Sequence, residues 1–184
     1  MEGIYKIKTG TLLEFSQQQM LDCTSSYGNI GCSGGLMTNC FNYLKSYSLQ
    51  TAASYPYIGY KSTCKYNSAN GKVKTIGYVN IASGDVAGHM NALALQPVSV
   101  AMAASSSVVS MYKSGIISST SCGTGLNHGV TMVGYGSANG VDYWIVKNSW
   151  GSGWGEAGYF RILRSATNGD GICGILKLSS YPKI

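Results

Sequence analysis

At 184 residues the chain is long enough for one domain or two small lobes, and its 45% hydrophobic content is enough to fill a core. Charged residues are few, at 11%. The net charge of +6 comes from thirteen basic residues spread from Lys6 to Lys183 without a block, so nucleic-acid binding is not indicated. No stretch approaches the ~20 apolar residues of a membrane span, and no signal peptide or Asn-x-Ser/Thr glycosylation acceptor is visible.

Met1 to Thr9 reads as a helix stopped at Gly10. Ser16, with Gln19 three residues on, is a capping box that starts a short helix through Met20, Leu21 and Cys23. Residues 25–35 form a loop ending in Gly34-Gly35, where two glycines before a helix let backbone approach a ligand. Apolar residues at 36, 37, 40, 41 and 44 give the stripe of a helix. Ser54-Tyr55-Pro56-Tyr57 is a turn, and residues 65–74 are polar with an Asn-Gly turn signal. A lobe boundary is placed near 75–80. Beyond it, Asp85 to Leu95 reads as a short helix ended before Pro97, and Val98–Ala103 as a strand. Tyr112–Ile117 is a turn into a short strand. Apolar runs at Val130–Val133, Tyr143–Val146 and Tyr159–Leu163 add further strands, so the second lobe is rich in β-structure.

Six cysteines are compatible with three bridges. The spacings Cys23-x8-Cys32 and Cys32-x7-Cys40, with no Cys-x2-Cys and no nearby histidine, do not suit zinc. Of two histidines, His89 lies in a predicted helix without evident partners and reads as surface or core filler. His128 stands just before the run Val130–Val133. Asn148 follows the run Tyr143–Val146 and precedes a loop dense in Gly and Trp. Adjacent strands would bring imidazole and amide together, so that the amide oxygen accepts the ring N–H and aims the ring at a nucleophile.

Two blocks carry a resemblance. Asn127-His128-Gly129 followed by Val133-Gly134-Tyr135-Gly136, and Asn148-Ser149-Trp150-Gly151-Ser152-Gly153-Trp154-Gly155-Glu156-Ala157-Gly158-Tyr159, resemble the histidine and asparagine blocks of the papain family of cysteine proteases, its cathepsin L branch in particular. The resemblance extends from Glu2 to Pro182. It implies an α+β, papain-like two-lobe fold: a helical left lobe over residues 1–77, incomplete at its start, and a β-barrel-like right lobe over 78–184.

The resemblance also implies roles. His128 and Asn148 would be catalytic, with Trp150 shielding their hydrogen bond. Gly34 and Gly35 would pair backbone with an extended substrate. Leu36, Met37, Ala101, Leu126, Asn127, Gly129 and Leu178 would bind substrate. Apart from Asn127 these match the walls of the main side-chain pocket, all apolar or small, which favours a bulky apolar residue before the scissile one. Leu178 stands where the branch usually has alanine, so the pocket is expected to be shallower. The implied bridges are Cys23–Cys64 and Cys122–Cys173. Cys32 is left an orphan and Cys40 a buried free thiol. A Cys32–Cys40 bridge is the alternative, made demanding by the helical position of Cys40. Bridges imply an oxidising compartment, lysosomal, vacuolar or extracellular.

One departure matters. The signature around the family's nucleophile, Cys-Gly-Ser/Ala-Cys-Trp/Tyr, is absent from the chain. Met1–Ile7 resembles the end of the helix that carries the nucleophile, which is expected ~10 residues upstream, about three helical turns. The 184 residues are therefore expected to belong to a cysteine-type endopeptidase but to be inactive alone. The alternative is a non-catalytic or silicatein-like papain-fold protein used for binding or assembly. Implied partners are peptide or protein substrates and a propeptide or cystatin-like inhibitor. No cofactor, metal, nucleic acid or membrane is implied.

Overall fold

The computed structural model describes residues 1–184. The chain divides into two compact units. Unit 1 comprises Met1–Val79 with Pro182–Ile184, and unit 2 comprises Asn80–Tyr181. In chain order the elements are α1 (Glu2–Thr9), α2 (Gln17–Cys23), α3 (Met37–Ser46), β1 (Leu49–Gln50), β2 (Gly71–Val73), β3 (Gly77–Ile81), α4 (Val86–Leu93), β4 (Val98–Met102), α5 (Ser107–Ser110), β5 (Ile116–Ile117), β6 (His128–Ala138), β7 (Val141–Lys147), β8 (Tyr159–Leu163) and β9 (Ser179–Lys183). No helix is long and apolar enough to cross a membrane.

In unit 1, α1 ends at Gly10 in the left-handed conformation, φ 75°, with its N–H on the Lys6 carbonyl. Ser16 caps α2 by accepting the Gln19 N–H at 2.9 Å. The reciprocal half of the expected capping box is not made. The Gln19 amide turns inward instead, donating to the Ser48 carbonyl and the Tyr43 hydroxyl and accepting the Gln50 N–H at 2.8 Å. A small core of Phe15, Tyr43, Leu44 and Leu49 lies beside the two-stranded β1–β2 ribbon. Burial drives the Tyr43 phenol up to about 12. Cys23 is joined to Cys64, while Cys32 and Cys40 are free, so the Cys32–Cys40 alternative is not realised.

In unit 2 the strands belong to a seven-stranded sheet in the order β3-β9-β4-β6-β7-β8-β5. The β4–β6, β6–β7 and β7–β8 pairs are antiparallel, and the edge pair β5–β8 is parallel. Alternate residues of the strands, among them Val130 and Met132 on β6 and Trp144 and Val146 on β7, fill one core with Val98, Val100, Phe160 and Ile162. Cys122 is bonded to Cys173.

β6 is longer than its apolar run suggests. It continues through Gly134 and Gly136 to a two-residue turn at Asn139 (φ 51°) and Gly140 (φ 77°). Both turn residues have the positive φ of a tight hairpin turn. Gly136 is needed because a Cβ there would sit 2.8 Å from the Tyr143 hydroxyl on β7. The helix expected over 85–95 is Val86–Leu93, with Asp85 as its N-cap accepting the Gly88 N–H.

Candidate active site

His128 opens β6 opposite Met102 of β4, and the neighbouring Asn127 N–H donates to the Met102 carbonyl at 3.0 Å. Asn148 continues β7 beyond its last residue and keeps sheet pairing through its N–H to the Gly158 carbonyl at 2.9 Å. The β6–β7 register pairs Thr131 with Lys147. Extended by one residue it sets Asn148 opposite Val130, one diagonal step from His128 on the same face. Across that diagonal, His128 Nε2 lies 2.8 Å from Asn148 Oδ1.

That oxygen also accepts the Ser149 backbone N–H at 2.8 Å. A flipped amide would set its NH2 against this N–H, so the orientation of Asn148 is fixed. His128 must then donate from Nε2, which leaves Nδ1 as the free acceptor of the neutral ring. Asn148 is only 8% exposed, and its Nδ2 is buried without a hydrogen-bond partner. The orphaned donor costs stability, yet it leaves the amide restrained only on the side that meets the ring.

The Trp150 ring lies 4.9 Å from the imidazole, tilted by 32°. It is 39% exposed but braced from behind: Trp154 meets it edge-on at 5.1 Å and in turn packs on Tyr112 and Phe160. The loop needs Gly155 (φ 57°), because a Cβ there would lie 2.6 Å from the Tyr159 carbonyl. Glu156 anchors the loop by accepting the Gly115 N–H and a two-pronged bond from Arg161 at 2.9 and 2.7 Å. The Arg161 guanidinium is the main reason the Glu156 carboxyl sits at about 2, well below its ordinary value. The imidazole is therefore roofed by an aromatic stack, with one nitrogen tied and the other open. This arrangement can give a proton to a leaving group and take one from water.

The other unit 2 residues expected to bind substrate lie close by. Ala101 of β4 is paired with Gly129 on one side, and on the other its N–H donates to the Leu178 carbonyl at 3.0 Å. Leu178 is exposed, Gly129 has open space where a side chain would go, and Leu126 is half-buried beside Gly174. The Asn127 side chain is taken up by the Ala104 N–H and the Ser105 hydroxyl, so it orders the segment after β4.

Gly34, Gly35, Leu36 and Met37 sit together in unit 1 at the entry to α3. They depend on Asn29, which the sequence reading passed over. Asn29 Oδ1 accepts the Leu36 N–H at 2.9 Å and fills the space that a side chain at residue 35 would need. The signal in the sequence is an asparagine inside the glycine-rich run Gly28-Asn29-Ile30-Gly31-Cys32-Ser33-Gly34-Gly35. Asn29 Nδ2 also lies 3.3 Å from the Cys40 sulfur, and burial pushes that thiol up. His89, expected to lack partners, has two. It is fully buried in α4 between the Asp85 carbonyl at 2.6 Å and the Ser179 hydroxyl at 2.7 Å, a residue ninety positions away in sequence.

The family model described as "Papain family cysteine protease" matches residues 1–183. The chain belongs to the papain family. A cathepsin L-like proteinase of Fasciola hepatica is 45% identical over all of this chain and 56% of its own length. Cysteine proteinase COT44 of Brassica napus is 47% identical over 99% of the chain and 56% of its own length. The chain thus spans about half the length of these curated relatives. Among solved papain-like structures, bromelain from Ananas comosus in complex with the E64 inhibitor superposes with a TM-score of 0.90 at 42% identity, covering 100% of this chain and 84% of that one. Digestive procathepsin L 3 of Tenebrio molitor gives 0.91 at 41% identity, covering 98% and 59%. The α+β papain-like architecture is that of the family.

Proposed function

We propose that these residues are the larger part of a cysteine-type endopeptidase of the cathepsin L kind, with His128 as its acid and base and Asn148 as the group that orients it. The observation that carries this reading is the 2.8 Å bond from His128 Nε2 to an amide whose orientation the Ser149 N–H fixes. With Nε2 tied, Nδ1 is the nitrogen presented to a thiol. In papain-like enzymes such a pair holds the thiol pKa near ~3–4 as a thiolate–imidazolium. The thiolate attacks the peptide carbonyl carbon. The imidazolium gives its proton to the leaving amine, and the neutral ring then takes one from the water that releases the acyl group.

The attacking cysteine lies outside residues 1–184. Neither free cysteine stands in the family's nucleophile signature, and burial raises the Cys40 thiol, opposite to what a nucleophile needs. These 184 residues alone are therefore not expected to hydrolyse peptides. Ala101, Gly129 and Leu178, which would contribute to the main side-chain pocket, are all uncharged, which supports a bulky apolar residue before the scissile one. The disulfides support an oxidising compartment, lysosomal, vacuolar or extracellular. A propeptide or a cystatin-like inhibitor would occupy the same site.

Labelling of the full-length protein with a thiol-trapping epoxide tests the proposal. One equivalent should add to a cysteine outside this segment, and His128→Ala should slow the addition by about 10²-fold or more. Cys40→Ala should leave it unchanged. No addition, or addition at Cys32 or Cys40, would overturn the reading.

A further inference from the structure

Gly35 is exposed, and neither its N–H nor its carbonyl is bonded within the chain. Its neighbours are tied down. The Gly34 carbonyl accepts the Ile30 N–H at 2.9 Å, and the Gly34 N–H donates to the Gly31 carbonyl at 3.1 Å. The Leu36 N–H donates to Asn29 Oδ1 at 2.9 Å. A free donor and a free acceptor on a residue fixed from both sides make a one-residue strand edge, open to an extended peptide.

Asn29 sets that edge. It is buried, and all four hydrogen-bonding positions of its amide are used. Nδ2 donates to Thr24 Oγ1 at 2.9 Å and to the Cys40 sulfur at 3.3 Å. Besides the Leu36 N–H, Oδ1 accepts from Asn39 Nδ2 at 3.1 Å. The amide thus joins the end of α2, next to the Cys23–Cys64 bridge, to the first turn of α3. It also dictates what residue 35 can be, since a Cβ there would collide with Asn29 Oδ1. Gly34 has the positive φ that favours glycine, 115°, but Gly35 does not. At Gly35 the Asn29 amide, and not backbone strain, excludes a side chain.

We infer that Asn29 is a positioning residue for extended substrates. It touches no peptide itself. It holds Gly35 in place, so that binding an extended chain does not have to order a glycine-rich loop. The inference rests on the reading of Gly35 as a substrate-pairing residue. Its consequence is selective: a peptide that runs beyond the residue adjoining the scissile bond uses the edge, and a single blocked amino acid does not.

The test compares two substrates of the full-length protein, an acylated tripeptide amide with a bulky apolar middle residue and an acetylated single-amino-acid ester. Asn29→Ala should raise KM for the tripeptide by about tenfold with kcat within about twofold, and leave kcat/KM for the ester within about twofold. Asn29→Asp keeps the acceptor for the Leu36 N–H and should bring the tripeptide KM back to within about threefold of the parent. Gly35→Ala alone should also raise that KM by about tenfold. Added to Asn29→Ala it should do little more, because the colliding oxygen is gone and only the Cβ of residue 29, 3.0 Å away, remains. The inference fails if ester and tripeptide suffer alike, if the tripeptide KM does not move, or if the two substitutions act additively. Iodoacetamide alkylation of the cysteine outside this segment, mapped by peptide analysis, separates the two readings, since so small a reagent does not need Gly35. Fast alkylation in both parent and Asn29→Ala with an unmoved KM overturns the role of Asn29 alone. A parent that is neither alkylated there nor able to hydrolyse either substrate overturns the catalytic reading and the role of Asn29 with it.

Discussion

Unit 2 buries nineteen side chains in one continuous apolar cluster, whereas the buried apolar cluster of unit 1 has four. Unit 1 compensates with polar groups: Ser16, Gln18, Gln19, Asp22, Thr24, Asn29, Gln50 and Thr75 are all buried. Their work is visible along residues 50–67, a stretch with almost no regular secondary structure. Gln19 Oε1 accepts the N–H of Gln50, Gln18 Oε1 that of Ile58, Asp22 Oδ1 that of Ser62, and Gln50 Oε1 that of Asn67, at 2.7 to 3.0 Å. Buried backbone donors must find acceptors. In unit 2 other strands supply them, and in unit 1 the side chains of a two-turn helix do so, together with Gln50 of β1. A cross-link from the end of that helix, Cys23–Cys64, closes the same loop. One unit is held mainly by area removed from water, the other in larger part by directed bonds.

That contrast can be broken by substitution. The largest effect is expected in unit 2. Trp144→Ala empties the centre of the apolar cluster and should destabilise by about 3–5 kcal/mol in denaturant unfolding. Gln19→Leu is the counterpart in unit 1. It keeps roughly the side-chain size and adds apolar surface, yet it strands the Gln50 N–H and the Ser48 carbonyl. A loss of about 2–3 kcal/mol is expected, with faster amide exchange confined to residues 48–67. A neutral or stabilised Gln19→Leu would mean that unit 1 is held by burial after all, and the comparison would fail.

The same contrast explains what could be read from the sequence. In unit 2 the apolar runs locate β6, β7 and β8, because a strand buried on its core face writes its pattern into consecutive residues. The pattern stops at Val133 while β6 runs on to Ala138, since Gly136 makes room for the Tyr143 ring of β7 and neither it nor Gly134 leaves an apolar signature. The turn that ends β6 is written in the sequence as Asn139-Gly140, a hairpin signal. In unit 1 the stripe of α3 and the cap at Ser16 were legible because both are local. The rest was not. Ser16 and Gln19 spell a capping box, but Gln19 has better partners thirty residues away, and nothing local records them. The site divides similarly: His128, Asn148 and Trp150 are flagged by the blocks they stand in, whereas Asn29, which builds the Gly34–Gly35 turn, and Ser179, which meets His89, matter only through distant pairings.

His89 offers a finer probe of the apolar unit. The Asp85 carbonyl can only accept, so Nδ1 carries the proton, and Nε2 accepts from the Ser179 hydroxyl. Burial beside Trp144 lowers the pKa of His89 against a smaller opposing influence of Asp85. The unfolded chain therefore binds this proton more readily than the folded one. The stability contributed by the neutral ring is complete above the unfolded value of about 6.5 and is lost as pH falls below it. Unfolding midpoints measured from about pH 7 to about pH 5 should fall in the parent, and His89→Gln should flatten the decline. An unchanged slope would show that His89 is not held neutral.

Glu156 should give the smallest effect, with a distinct pH window. Its folded value is about 2 against an ordinary 4.5, chiefly because Arg161 bonds the carboxylate. The ion pair therefore contributes above about pH 4.5, and that contribution disappears as pH falls through about 2. The pair is partly exposed, so solvent and salt screen it, and Glu156→Gln should shift the neutral-pH midpoint only slightly. Its bond to the Gly115 N–H can survive in the amide, but the charged fork to Arg161 cannot. The variant should therefore lose the extra acid sensitivity between about pH 4.5 and about pH 2 while the His89-dependent decline at higher pH persists. If Glu156→Gln instead destabilised unit 2 as much as Trp144→Ala, directed bonds would carry this unit too, and the distinction between the two halves of the chain would dissolve.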